Sequence, residues 1–181
     1  YVTAGALKPN QGSRAVGFPK FVRLHVDLMD IVSLLCVRQA EDAPHSHLAS
    51  STTIYNEILK RRPDLMPRLQ AGFEWDRMGE HAEGENPTSG YQVPLFSQIN
   101  GVVSCRYNRS WMASANARKN QPMSEGDEAI LDLIDEIAAE TRLAFPFQNG
   151  DIQFCNNYTI LHGRDAHAVE SQEDRMRVLM R

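Results

Sequence analysis

The sequence predicts an α+β fold that is mainly β, a barrel or jelly roll with helices flanking short antiparallel strands. Three observations predict it. Short apolar or alternating segments recur along the chain, separated by turn residues. Asn100-Gly101 stands between two apolar segments, the strongest short hairpin signal in the chain. Only two segments carry helical periodicity, and both lie between strands.

Residues 1–20 hold Gly5, Pro9, Gly12, Gly17 and Pro19 with little periodicity, and read as a lead-in loop. Phe21 to Asp27 reads as a strand with Phe21, Arg23, His25 and Asp27 on one face. Ile31 to Val37 is a continuous apolar run, the pattern of a strand buried on both faces. Arg38 to His47 reads as polar loop. Ile54, Ile58 and Leu59 mark a helix from Thr53, capped by Thr53 or Ser51 and ended by Pro63. Residues 64–69 add a further turn. The acidic, Gly- and Pro-containing segment 79–90 is surface loop with an exposed His81.

Val93–Gln98 and Val102–Tyr107 form the hairpin. Ser124 caps an amphipathic helix running to Glu140, with Ile130, Leu131, Leu133, Ile134, Ile137 and Ala138 on its apolar face. A turn at 147–151 leads to strands at Ile152–Cys155 and Thr159–His162. After a polar loop at 165–174, Met176, Val178 and Met180 alternate with Arg175, Arg177 and Arg181 in a returning strand.

Composition excludes several functions. Hydrophobic residues at 42% and charged residues at 23% describe an ordinary globular chain, not a disordered or fibrous one. A net charge of −4 without a long basic run leaves no electrostatic footprint for nucleic acid. No apolar stretch reaches the roughly 18 residues of a membrane span. Cys36, Cys105 and Cys155 are odd in number and form no CxxC pair, so a zinc ribbon is excluded and a cytoplasmic location is expected. Neither a G-x-S-x-G elbow nor a nucleotide-binding glycine loop occurs.

The chemistry is concentrated in His25-Val26-Asp27. Residues i and i+2 of a strand share a side, so the imidazole and carboxylate converge. They supply two ligands to a divalent metal, and His162 is the best candidate for a third. Two histidines and one carboxylate leave three coordination positions open, the arrangement of non-haem Fe(II) oxygenases. An isolated His-x-Asp is more often a surface pair. Arg177 follows His162 by fifteen residues, and a returning strand brings it back beside the metal-bearing strand. An arginine turned into a barrel needs an anionic partner, and a carboxylate fits it bidentately. A solvated basic face of Arg175, Arg177 and Arg181 is the plainer alternative.

Leu24-His25-Val26-Asp27, Ser33 to Val37, and Ser50-Ser51 before Tyr55 to Leu59 resemble the TauD/TfdA group of taurine dioxygenase-like Fe(II)/2-oxoglutarate oxygenases. So do Phe96-Ser97, Ser104 to Tyr107, Asp132 to Glu136, Gly150 to Asn157, Leu161-His162-Gly163-Arg164 and the closing arginine strand. The ordered set covers nearly the whole chain from residue 18. The resemblance implies a double-stranded β-helix over 21–181, with Fe(II) bound by His25, Asp27 and His162. It implies 2-oxoglutarate as cosubstrate, its far carboxylate held by Arg177, with Arg181 near substrate or cosubstrate. It also implies hydroxylation or other oxidation of a small organic molecule by O₂, coupled to release of succinate and CO₂. Asn156-Asn157 matches an Asn pair that makes a turn.

The family's usual Gly-Gly and following Ser or Thr are replaced by Ala43-Pro44-His45-Ser46-His47. His47, or Ser46 after a one-residue shift, stands where the cosubstrate's hydroxyl contact belongs. Arg106, Tyr107 and Trp111 are candidates for the substrate pocket; Trp75 reads as core, and His167 as a residue near the site entrance. His45 and His47 form an HxH that more often faces solvent than binds a metal. Two rival readings remain at this point: a catalytically inactive jelly-roll relic that binds or supports, and a zinc hydrolase using the same three ligands. Neither substrate nor oligomeric state is readable. The family has sheet before the first ligand and chain after the last arginine, so a segment incomplete at both ends is expected.

Overall fold

The computed structural model describes residues 2–3, 20–166 and 177–181. Arg175, Met176, His167 and most of the loop expected at 165–174 therefore lie outside the described residues, as does most of the 1–20 lead-in. In chain order the strands are β1 (Val2–Thr3), β2 (Val22–His25), β3 (Ile31–Arg38), β4 (Ser46–Ser50), β5 (Phe96–Ile99), β6 (Val102–Cys105), β7 (Leu143–Phe145), β8 (Ile152–Asn156), β9 (Ile160–Arg164) and β10 (Val178–Met180). The helices are α1 (Ser51–Arg61), α2 (Met66–Ala71), α3 (Arg109–Arg118) and α4 (Glu125–Thr141).

Two four-stranded antiparallel sheets, ordered β1-β10-β3-β8 and β2-β9-β4-β7, form a partial jelly roll. Alternation along each strand divides its side chains between two environments. On β2 and just beyond it, Leu24 and Val26 face outward and join Ala49 and Leu161 under α1 and α4. There Ile54 and Ile58 meet Ile130, Leu131, Ile134, Ile137 and Ala138, all buried. This layer is the main core. His25 and Asp27 are left facing the space between the sheets, where Cys36, Phe147 and Leu179 form a smaller core.

Local chemistry sets the element ends. Ser124 accepts from the Asp127 amide at 3.1 Å, and Glu125, Asp127 and Glu128 complement the positive end of α4. Ser50, rather than Ser51 or Thr53, caps α1, accepting from the Thr53 amide at 3.3 Å. The hairpin turns at Asn100 (φ 51°) and Gly101 (φ 81°), the left-handed pair a two-residue hairpin requires.

Five further expectations are corrected. Within the 1–20 lead-in, Val2–Thr3 is not loop but strand β1, paired to β10. Ser46 and His47 are not loop but the start of β4, held by pairing to β9 on one side and β7 on the other. The apolar run of β3 is buried on one face only: Ile31 is 63% and Val37 45% exposed, while Val32 and Cys36 face inward. Helix α3 carries little apolar periodicity, and its cap at Asn108, which accepts from the Trp111 amide at 3.3 Å, starts it. Among the described residues four helices, not two, therefore flank the sheets. His81 is half-buried rather than exposed. All three cysteines are buried and unpaired. Among the described residues no helix is long and apolar enough to cross a membrane.

Candidate metal centre and its cavity

The strand register brings the candidate ligands together. His25 pairs directly with His162 across β2 and β9, whereas Val22 pairs with Arg164. Three steps on β2 therefore match two on β9, so β2 carries a bulge beside the site. Gly163 permits this close approach, since a Cβ there would lie 2.6 Å from the Val22 carbonyl oxygen. The ligand atoms of His25, Asp27 and His162 all lie within 4.8 Å of one another, close enough to hold a metal ion. His162 Nε2 is 3.3 Å and His25 Nε2 3.9 Å from the Asp27 carboxylate.

Protonation favours coordination. His25 Nδ1 lies 2.8 Å from the Arg23 carbonyl, which only accepts. Nδ1 therefore carries the proton, and the Nε2 lone pair faces Asp27 and His162. Burial, together with His162, lowers the His25 pKa to about 4, which keeps the ring neutral. Burial alone would raise the Asp27 pKa. His162, His25 and Arg181 outweigh it and hold the carboxyl down to about 2.

The backbone around Asp27 is fixed from outside the sheet. Buried Asn157 accepts from the Asp27 amide at 3.2 Å and donates to the Met29 carbonyl at 2.8 Å. The Val26 amide donates to the Tyr107 carbonyl at 2.8 Å, and Arg106 reaches the Asp27 carbonyl at 3.4 Å. Arg181 pairs directly with the Asp27 carboxylate.

His25, Asp27 and His162 line one cavity of about 300 Å³ between the sheets. Arg177, Arg181, Ser46 and Trp111 line it as well. Arg177 is 9% exposed, and its partner among the described residues is Gln39, to which Nε donates at 3.2 Å. Burial, with nearby Arg164, lowers its pKa to about 10, which still leaves it charged at neutral pH. The alternation of β4 turns Ser46 toward the cavity. His47 faces the other way, with its Nε2 3.2 Å from Asp165. Exposed His45 reaches the same carboxylate at 3.7 Å.

Arg106 and Tyr107 do not line the cavity. The Arg106 guanidinium lies 4.1 Å over the Tyr158 ring. The Tyr107 phenol is buried in the core and donates to Asp135 at 2.6 Å. Trp111 stands edge-on to buried Trp75, with ring centroids 5.6 Å apart. The wall beside Trp111 is the start of α3, with Asn108, Arg109 and Ser110, and Met78 adds to it. Arg109 clamps this wall to α4 through Asp132 at 2.6 Å, Asp135 at 2.9 Å and Glu128. Sequence reasoning passed over these wall residues and Gln153 of β8. The available signal for Gln153 was a polar side chain at an inward strand position.

Comparisons with known proteins give the family and the fold. The family model "Taurine catabolism dioxygenase TauD, TfdA family" matches residues 4–181. The FR-33289 synthase of Streptomyces rubellomurinus is 34% identical over 149 residues, 81% of this chain and 43% of that protein. A taurine hydroxylase-like protein, SAT17, of Stachybotrys chartarum is 32% identical over 164 residues, 88% of this chain and 41% of that protein. The chain thus spans less than half the length of these curated relatives. An asparagine oxygenase solved with Fe(II), 2S,3S-3-hydroxyasparagine and succinate superposes with a TM-score of 0.72 at 14% identity, over 94% of this chain and 52% of that one. The non-haem iron oxygenase OrfP, solved with Fe and alpha-ketoglutaric acid, gives a TM-score of 0.61 at 12% identity, over 98% of this chain and 53% of that one. At such identities these likenesses speak to the fold.

Proposed function

The chain belongs to the TauD/TfdA dioxygenase family, and on that premise we propose that its parent protein is an Fe(II)- and 2-oxoglutarate-dependent oxygenase of a small organic molecule. Residues 21–181 are the body of the oxygenase unit of that protein, and 1–20 a lead-in of which Val2–Thr3 pairs with β10. The observation that carries the reading is the convergence of His25, Asp27 and His162 in the inter-sheet cavity. Two imidazoles and one carboxylate suit Fe(II) and leave positions open for a chelating oxo acid and O₂. Iron bound there supplies the oxidation, coupling O₂ to decarboxylation of 2-oxoglutarate to succinate and CO₂ and to oxidation of the substrate.

The chain's own residues bind and orient. The Arg23 carbonyl holds the His25 tautomer, and Asn157 fixes the backbone from which the Asp27 carboxylate projects. Arg177 is a buried cation without a carboxylate partner among the described residues, which calls for an anionic ligand. The far carboxylate of 2-oxoglutarate meets that need, and Ser46 supplies the hydroxyl on the same cavity. His47 has no part in this contact, because it faces away. Arg181 places a second positive charge beside the triad. Trp111, Met78 and Phe21 give the substrate an apolar wall and restrict water. Names of solved relatives add support: OrfP has been captured with Fe and alpha-ketoglutaric acid, and the asparagine oxygenase with Fe(II) and succinate.

The test is succinate release by the full-length protein supplied with Fe(II), 2-oxoglutarate and O₂. His162→Ala is expected to abolish it. Undiminished succinate release by that variant would sink the assignment.

A further inference from the structure

Strand β8 reverses the usual burial pattern. Ile152 and Phe154 point outward, 59% and 71% exposed, while Gln153 points inward and is 9% exposed. Polar residues at inward strand positions break the binary pattern that builds a core, and such breaks concentrate where a protein binds something. Gln153 pairs with Leu34 of β3 and lines the cavity that holds the triad. Its Nε2 donates to the Cys155 sulfur at 3.1 Å, which orients the amide. The other end, Oε1, is buried and has no hydrogen-bond partner among the described residues.

Among the described residues nothing donates to it. Val32 and Leu34, on the facing strand, are apolar. Arg181, one residue past the Met180–Leu35 pair, is turned to Asp27, and the Arg177 Nε donates to Gln39. A buried carbonyl oxygen without a donor is costly, so a partner arriving with a ligand is the economical solution. That ligand is not 2-oxoglutarate. Its two carboxylates and ketone are acceptors only at neutral pH, and an acceptor cannot satisfy Oε1.

We propose that Gln153 determines substrate specificity, its amide oxygen accepting a hydrogen bond from an N–H or O–H group of the substrate. This rests on the oxygenase reading above and narrows its substrate to molecules carrying such a donor. A site built to pair a donor rejects the analogue that lacks it, because the buried acceptor is then stranded.

The test uses the full-length protein with Fe(II) and 2-oxoglutarate, and a panel of matched small molecules. Members of each pair differ only in a free hydroxyl against its methyl ether, or a primary amide against its N,N-dimethyl form. Wild type is expected to favour the donor-bearing member by roughly tenfold or more in succinate release. Gln153→Leu should shrink that preference to within about threefold while leaving the 2-oxoglutarate requirement unchanged, and Gln153→Glu should retain it. The metal-free Gln153→Leu protein should melt at or above the wild-type temperature, since it loses a stranded polar atom. Preference kept in Gln153→Leu, absence of preference in wild type, or a raised 2-oxoglutarate requirement would each overturn the proposal. So would a lowered melting temperature, the sign of a structural bond. A wild type that releases no succinate with any member counts against the oxygenase reading instead, and the melting comparison then decides for Gln153.

Discussion

Replacing Gly163 by alanine probes how the two histidine-bearing strands are held together. The added Cβ would lie 2.6 Å from the Val22 carbonyl oxygen and 3.1 Å from the carbonyl carbon and oxygen of Arg23. Ordinary contact begins at 3.4 Å, so β2 would have to withdraw by about 0.8 Å. The obstructing atoms are backbone, and they belong to the bulged stretch that leads into His25. Overpacking of this kind costs about 1–3 kcal/mol. For a domain of this size, that lowers the melting temperature by roughly 2–12 °C. The same withdrawal separates His25 from His162, and disturbed ligand support weakens metal affinity by about 10- to 100-fold. Thermal unfolding and anaerobic Fe(II) titration measure the two effects. Gly126→Ala is the control: its Cβ would come no closer than 4.0 Å to the Ser124 hydroxyl, and alanine suits the first turn of α4. A Gly163→Ala protein that melts and binds Fe(II) like wild type would refute the reasoning.

Three further outcomes are expected. Arg177→Leu should raise the 2-oxoglutarate concentration needed for half-saturation by about 10- to 100-fold, read by titration. It should not lower the melting temperature, because a buried cation is removed with it. Asp76→Asn should destabilise the fold by about 1–3 kcal/mol at neutral pH, measured by urea unfolding, since the buried carboxylate loses ion-paired Arg118 and its bond from Ser114. Burial alone would raise the Asp76 pKa, but Arg118, Ser114 and the Met78 amide bring it below the ordinary value. Its contribution is therefore complete above the unfolded pKa and lost as pH falls through the folded one, so wild type and Asp76→Asn should converge in stability in acid. Finally, Cys36, Cys105 and Cys155 should resist a thiol reagent in the native state and react on unfolding, because burial raises each thiol's pKa.

The sequence made the metal constellation legible because strand alternation is a local rule: His25 and Asp27 share a side wherever that segment is extended. The partnership of His25 with His162 depends on register across 137 positions, which family resemblance supplied and local pattern could not. The start of β4 was illegible for a related reason. Ser46-His47, following Pro44-His45, has no strand-like composition, and pairing to β9 and β7 alone makes these two residues the start of a strand. That pairing also turns Ser46 toward the cavity and His47 toward Asp165. Helix α3 lacks an apolar stripe and is held instead by the Asn108 cap and by Arg109 reaching three carboxylates of α4. Such long-range ion pairs leave no local periodicity. Tyr107 and Arg106 lie next to Trp111 in sequence, but the chain turns into α3 between them, so only the tryptophan reaches the cavity.

The most direct measurement is an anaerobic titration of the full-length protein, adding 2-oxoglutarate to the Fe(II)-loaded form. Chelation of the iron by the oxo acid produces a visible metal-to-ligand charge-transfer band. Wild type should develop that band to saturation, and His162→Ala should not develop it at matched protein, iron and 2-oxoglutarate concentrations. A band of equal intensity and midpoint in the two proteins would contradict the placement of the metal at His25, Asp27 and His162.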